Sequence, residues 1–289
     1  MIVDARARVR GSEFGAGDGD EGSMRGYLTC VIGVAMVSQL SVDAQEPRGI
    51  AAALRRNCEA GSAAACSNLA RMYAKGEGVP QDKPKATQLY QKACDAGSAG
   101  ACRELGGMYL EGNGVAEDLA KAAGLFRKAC EQGDAEACGH LANAYDTGLG
   151  VHQDDATAVR LNQKACEGGD ALACNNLGVA YDRGEGVTQD KVKAALLYEK
   201  ACKGHIAACG NLARMYDRGE GVPIDKAKAA RIYTKSCAAG DVEACTNLAR
   251  LYDKGEGVPA DKGLARQIYR TACDAGWLAA CKEIENGRR

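Results

Sequence analysis

Cysteine recurs in this chain with a fixed period. Cys58, Cys94, Cys130, Cys166 and Cys202 stand 36 positions apart, and after a one-residue deletion near Gly204 the series resumes at Cys237 and Cys273. Each is followed by a second cysteine: Cys66, Cys102, Cys138, Cys174, Cys209, Cys245 and Cys281. Seven residues separate the members of six pairs, and six separate Cys202 from Cys209. A period of this length means a stack of small units, because one such unit cannot bury its own apolar face.

Within the period, two segments carry helical spacing. Helix A carries the second cysteine of each pair in its opening turns and places Cys66, Leu69, Ala70 and Tyr73, or Cys174, Leu177, Gly178 and Tyr181, on one stripe. It stops at a Gly-x-Gly pair such as Gly76 and Gly78, where glycine accepts the left-handed backbone that ends a helix. A Gly-x-Gly that cradles phosphate follows a strand, and this one follows a helix six times over. A valine then plugs each hairpin (Val79, Val115, Val151, Val187, Val222, Val258). Asp82, Asp118, Asp154, Asp190, Asp225 and Asp261 stand where helix B begins and suit its N-cap. Helix B ends at the first cysteine of the next pair. The array opens with a lone helix B, about 50–60, and closes with a helix A from Trp277. The fold expected is all-α, an α/α solenoid of about seven helical hairpins over residues 45–289.

The apolar fraction is 46%, but aromatics are only 5%, with two Phe and one Trp. The core must therefore use Ala, Leu, Val and a recurring Tyr, whose small companions bury little area each. Cross-links would offset that thinness. Bonds from Cys58 to Cys66 and its equivalents would staple helix B to the following helix A. Spacing alone leaves open a second pairing within one hairpin, Cys66 to Cys94. The shorter Cys202 to Cys209 interval is the weakest point of the series. Zinc sites place two to four residues between paired cysteines, and no such pair exists here. His140, His152 and His205 hold no fixed place in the repeat, so neither a metal nor a cofactor is expected.

Compartment is read from the N-terminus. Residues 1–23 lack apolar periodicity and are expected to be disordered, or to lie upstream of a start at Met24. From Met24 a short positive region precedes an apolar run, Tyr27 to Leu40, and then Val42-Asp43-Ala44. This is the pattern of a signal peptide over 24–44 with cleavage after Ala44. The run is too short for a stable membrane span. Removing it takes away Cys30 and leaves 14 of the 15 cysteines, an even number suited to an oxidising compartment. With 37 basic and 38 acidic residues the net charge is −1, which gives no field for nucleic acid.

The segments Ala-Cys-x-Asn-Leu-Ala, Tyr-Asp-x-Gly-Glu-Gly-Val and Lys-Ala-Cys resemble Sel-1-like repeats, relatives of tetratricopeptide repeats. The cysteine pairs make the chain similar to the Helicobacter cysteine-rich protein group. The resemblance covers about 50–285. It implies disulfides between neighbouring helices, a periplasmic or secreted location, and an adaptor or scaffold role. It also implies an alternative, the weak β-lactam binding or β-lactamase activity described for some cysteine-rich members. The residues offer that activity no support: Ser-x-x-Lys, Ser-Asp-Asn and Lys-Thr-Gly are all missing, and no catalytic residue emerges.

Binding has a residue basis. Two positions after the second cysteine stand Asn68, Glu104, His140, Asn176, Asn211 and Asn247. Three further on stand Arg71, Gly107, Asn143, Val179, Arg214 and Arg250, on the same helix face. If the A helices line the concave surface, Asn68, Arg71, Asn176, Asn211, Arg214, Asn247 and Arg250 form a ladder for a peptide or protein partner. Asn would pair with its backbone and Arg with its carboxylates. The competing reading has each Asn bonding the neighbouring repeat and each Arg solvated.

Overall fold

The computed structural model describes residues 46–286. The expected leader over 24–44, its cleavage after Ala44, and the segment 1–23 lie outside the described residues. Among those described there are fourteen helices and no strand. The lone first helix B is α1 (Glu46–Glu59). Six A–B hairpins follow: α2 (Ala63–Lys75) with α3 (Lys83–Asp95), α4 (Ala99–Glu111) with α5 (Leu119–Glu131), and α6 (Ala135–Thr147) with α7 (Asp155–Glu167). Then come α8 (Ala171–Arg183) with α9 (Lys191–Ala201), α10 (Ile206–Arg218) with α11 (Lys226–Ala238), and α12 (Val242–Lys254) with α13 (Lys262–Asp274). The last helix A is α14 (Leu278–Asn286). Each helix packs mainly on the one before it and the one after it, which makes this an α/α solenoid.

Local chemistry sets the helix ends. Asp82 accepts from Lys85 N–H at 3.0 Å, and the other five B-helix aspartates do the same for the third residue after them. The A helices have caps of their own, at Ser62, Ser98, Asp134, Asp170 and Asp241. The sequence reading did not single these out, although each follows the turn glycine. Two glycines show why the loop is invariant. Gly150 and Gly221 have φ of 73° and 68°. A Cβ at either would lie 2.1 Å from the carbonyl oxygen of Leu119 or 2.2 Å from that of Lys191, so the loop sits directly on the start of the preceding helix B.

The core is built as composition requires. Ala70, Ala86, Ala93, Ala129, Ala194 and Ala213 are fully buried, with Leu69, Leu105, Tyr198 and Tyr233 as the largest fillers. Small alanines let the helix axes approach closely, and the loop valines pack against this core.

All seven cysteine pairs are bonded in the helix B to next helix A register, with Cα–Cα distances of 4.5–4.9 Å. The within-hairpin alternative from Cys66 to Cys94 is thereby excluded. Cys202 and Cys209 are bonded too, at a Cα–Cα distance of 4.6 Å. The missing residue is absorbed by helix ends: α9 is shortened to 11 residues, and His205 precedes α10 without a side-chain cap bond. Closing a ring this small stabilises by about 2.5 kcal/mol in the chain-entropy model. A Cys130→Ala/Cys138→Ala double variant is expected to lose about that much, read as a lower urea midpoint. An unchanged midpoint would mean the staple is redundant with packing.

Candidate binding face

Successive A helices present one face to a line of cavities. The first, about 550 Å³, is lined by Asn68, Arg71, Tyr90, Arg103, Glu104 and His140. His140 also borders the next, about 780 Å³, with Asn143, Asp170, Leu172 and Asn176. Asn143 and Asn176 continue into a third of about 230 Å³. A fourth, about 150 Å³, lies between Asn211, Arg214, Tyr233, Asp241 and Asn247. Six of the seven expected residues therefore sit on cavity walls; Arg250 lies outside them.

Their partners differ along the array. Asn68 and Arg71 are exposed and bond each other at 3.2 Å. Asn176 accepts from Asn175 at 3.4 Å, and Asn211 donates to Asn175 from one repeat further on at 3.1 Å. Arg214 Nη2 lies 2.8 Å from Asp182 Oδ2 of the preceding repeat, and Arg250 makes the same short pair with Asp217. These two arginines tie repeat to repeat through carboxylates of their own chain, so neither is a solvated side chain.

The ties form a repeating network. Lys191, the first residue of α9, stands 3.8 Å from Asp182 and 2.7 Å from Glu220 in the loop after α10. Arg214 Nη1 reaches the same Glu220 oxygen at 3.5 Å. One repeat on, Lys226 stands 3.1 Å from Asp217 and 2.7 Å from Glu256. The cations cover Asp182 and Asp217, which are only 9% and 5% exposed. The hydrogen bond from Lys191 holds Glu220 below the ordinary carboxylate range, and Lys226 does the same for Glu256. A second hub lies near the other end, where Arg103 pairs with Glu104, Asp134 and Glu136 at 3.0–3.2 Å. The sequence reading passed over these carboxylates. The signal available was an Asp after the recurring Tyr in one repeat and an Arg 32 or 33 positions later in the next.

Lysines complete the surface. Lys85, Lys121, Lys193 and Lys228 lie over the rings of Tyr73, Tyr109, Tyr181 and Tyr216 at 4.1–4.4 Å, each joining helix B to helix A of its hairpin. Among the described residues no cluster of His, Cys, Asp or Glu is arranged to hold a metal ion. Nor is any described helix long and apolar enough to cross a membrane.

Six consecutive matches to the Sel1 repeat cover 63–98, 99–134, 135–170, 171–205, 206–241 and 242–277. The chain belongs to the Sel1 repeat family, whose members are helical protein-interaction modules. It is similar to a protective antigen of uropathogenic Escherichia coli with an SLR fold: 34% identity, TM-score 0.76, 80% of this chain and 50% of that one. It therefore spans about half the length of that antigen. A Sel1 repeat protein from Oxalobacter formigenes is 30% identical over 73% of this chain and 85% of that one, with a TM-score of 0.66. Helicobacter pylori cysteine-rich protein B is 29% identical over 47% of this chain and 98% of its own, with a TM-score of 0.39. No curated protein matches the chain. Nothing in the geometry or in these neighbours points to β-lactam chemistry.

Arg214→Ala leaves a nearly buried Asp182 without its guanidinium and is expected to cost about 1.5–3 kcal/mol, measured by urea unfolding. A carboxylate whose folded pKa is depressed contributes stability above its unfolded pKa and loses it as pH falls through the folded one. The urea midpoint should therefore drop as pH is lowered from about 5 to about 3, and Glu220→Gln should flatten that drop.

Proposed function

We propose that this chain is an exported scaffold that holds an extended peptide or protein segment along its A helices, on the concave side of the solenoid. The observation that carries this reading is the line of cavities bordered by the same two helix positions in successive repeats. An extended chain presents a backbone amide or carbonyl at every residue. Asn68, Asn176, Asn211 and Asn247 carry both donor and acceptor in one side chain, which suits a backbone without regard to its side chains. Arg71 supplies a guanidinium whose only hydrogen-bond partner among the described residues is Asn68, and a partner carboxylate would pair with it. Arg214 and Arg250 would greet a partner carboxylate in competition with Asp182 and Asp217. On this reading Arg71 anchors the partner and the two downstream arginines shape the groove.

Export fits the seven disulfides, which belong to an oxidising environment. The leader over 24–44 would deliver residues 45–289 to the periplasm or the exterior. Expression in a Gram-negative host should then yield a mature chain beginning at Gln45. N-terminal sequencing that finds residues upstream of Gln45 on the exported protein would sink that cleavage site.

The binding reading is tested by affinity capture from periplasmic and secreted extracts, with the oxidised protein as bait. An Asn68→Ala/Arg71→Ala variant runs beside it. A specific partner should bind the variant roughly tenfold more weakly, the loss of one charged contact. Retention at parental strength would remove this face from the proposal.

A further inference from the structure

Two junctions of the array carry the ion network, and a third carries its carboxylates without its cations. Between α6, α7 and α8, Asp146 occupies the place of Asp182 and Asp217, and Glu185 that of Glu220 and Glu256. Val179 stands where the other junctions have Arg214 and Arg250, and Asp155 stands where they have Lys191 and Lys226. The two cations of the pattern are therefore replaced by an apolar group and a third carboxylate. Arg183 alone remains, exposed and 3.6 Å from Glu185, as Arg218 stands 3.7 Å from Glu220. Asp146 is exposed, whereas its two counterparts are buried.

A second departure falls at the same place. The position filled by Tyr90, Phe126, Tyr198, Tyr233 and Tyr269 in the other hairpins holds Asn162 in this one. The smaller side chain lines the cavity of about 230 Å³ together with Asp146, Asp155, Asn176, Val179 and Glu185. Asn162 is 7% exposed, and its Oδ1 accepts from no group among the described residues. A buried acceptor of this kind calls for a donor. Although Asp146 is exposed overall, partial desolvation of its carboxyl group and the charges of Asp155 and Glu185 hold it above the ordinary carboxylate range.

We propose that this junction takes an arginine guanidinium from a bound peptide. The group enters the cavity and bridges Asp146 and Glu185 as Arg214 bridges Asp182 and Glu220, and turns a remaining N–H toward Asn162 Oδ1. Three features select a guanidinium over a point charge. The chain itself uses one at both filled junctions; its planar fork serves two carboxylates at once; and it has donors left for an amide oxygen. A single metal ion is the poorer fit, since the carboxylates here are not arranged to share one. The site opens on the face bordered by Asn143 and Asn176, and it rests on the groove reading only for the peptide as the guanidinium's source.

The test uses the oxidised full chain, labelled with nitrogen-15, and N-acetylarginine amide as probe. The Asn162 side-chain amide resonances should shift saturably. N-acetylcitrulline amide, the same shape without charge, should bind at least tenfold more weakly, and Asp146→Asn/Glu185→Gln should abolish the response. Val179→Arg should supply the group from within, suppress the titration and raise the thermal midpoint. Equal response to citrulline amide, or a response that survives the double variant, overturns the site. Putrescine matching the arginine probe overturns the choice of guanidinium. Gly-Arg-Gly binding more tightly than the amide supports a peptide source, and equal binding overturns it. The Asn68→Ala/Arg71→Ala variant separates the two readings: loss of partner capture with an intact titration belongs to the groove, and a failed titration with intact capture belongs to this site alone.

Discussion

Each joint between hairpins in this array is a disulfide from the end of one B helix to the start of the next A helix. That bond lies across a short turn with few large side chains, and six of the seven turns carry a positive-φ glycine. Its ring is small and wholly local, so it can form as soon as two neighbouring helices meet. It fixes the place at which one hairpin hands over to the next, and everything further along the array inherits that orientation. The alanine-rich core follows from the same constraint. Helices held this close leave room between them for methyl groups and an occasional ring, and larger side chains would push them apart. An aromatic ring fills the space from the B helix of every hairpin but the one holding Asn162, and on the A helices Tyr73, Tyr109, Tyr181 and Tyr216 each lie under a lysine of the partner helix.

Cross-links and small side chains account for hairpin stacking but not for the contact between one A helix and the next. The ion network supplies that contact in the second half. A guanidinium from one repeat reaches a carboxylate in the repeat before, and a lysine at the head of a B helix completes the pair on the other side. Such buried pairs contribute less to stability than their distances suggest, because desolvation offsets much of the attraction. What they do supply is intolerance of loss: once Asp182 and Asp217 are covered, each needs its cation. The first half uses a different device, with Arg103 gathering three carboxylates. The two halves thus carry different charge arrangements on the same helical surface.

Much of this was legible in the chain itself. The cysteine pairs, the Gly-x-Gly stops, the valine plugs and the aspartate caps are all local, and their recurrence every 36 residues makes the period plain. The A-helix caps at Ser98 or Asp134 are as local, each directly after its turn glycine. The roles of Arg214 and Asn211 were harder to reach. Their partners, Asp182 and Asn175, lie 32 and 36 positions away. Nothing in either residue's own repeat distinguishes an arginine that ties from one that waits, such as Arg71. What separates them is the residue after the recurring Tyr of the preceding repeat, because the deciding group belongs to the neighbour.

Repetition also supplies its own controls. At a position occupied alike in every unit, the occupant answers to stacking, and a role in recognition is hard to isolate. At a position that departs, the remaining copies show what the architecture itself requires. Val179, Asp155 and Asn162 depart in two adjacent units, and all three border one cavity. Each change alone would have a simple structural cost: a lost ion pair, a repelling carboxylate, a missing ring. Together they remove the two positive groups that the two following junctions keep and the ring that the other hairpins keep, while Asp146 and Glu185 stay in place. A chain under pressure only to stack would neutralise or lose those carboxylates, as the Leu110 and Ala74 positions of the first two hairpins have done. Their persistence beside an opened cavity is what distinguishes a place kept for a guest from a defect in the array.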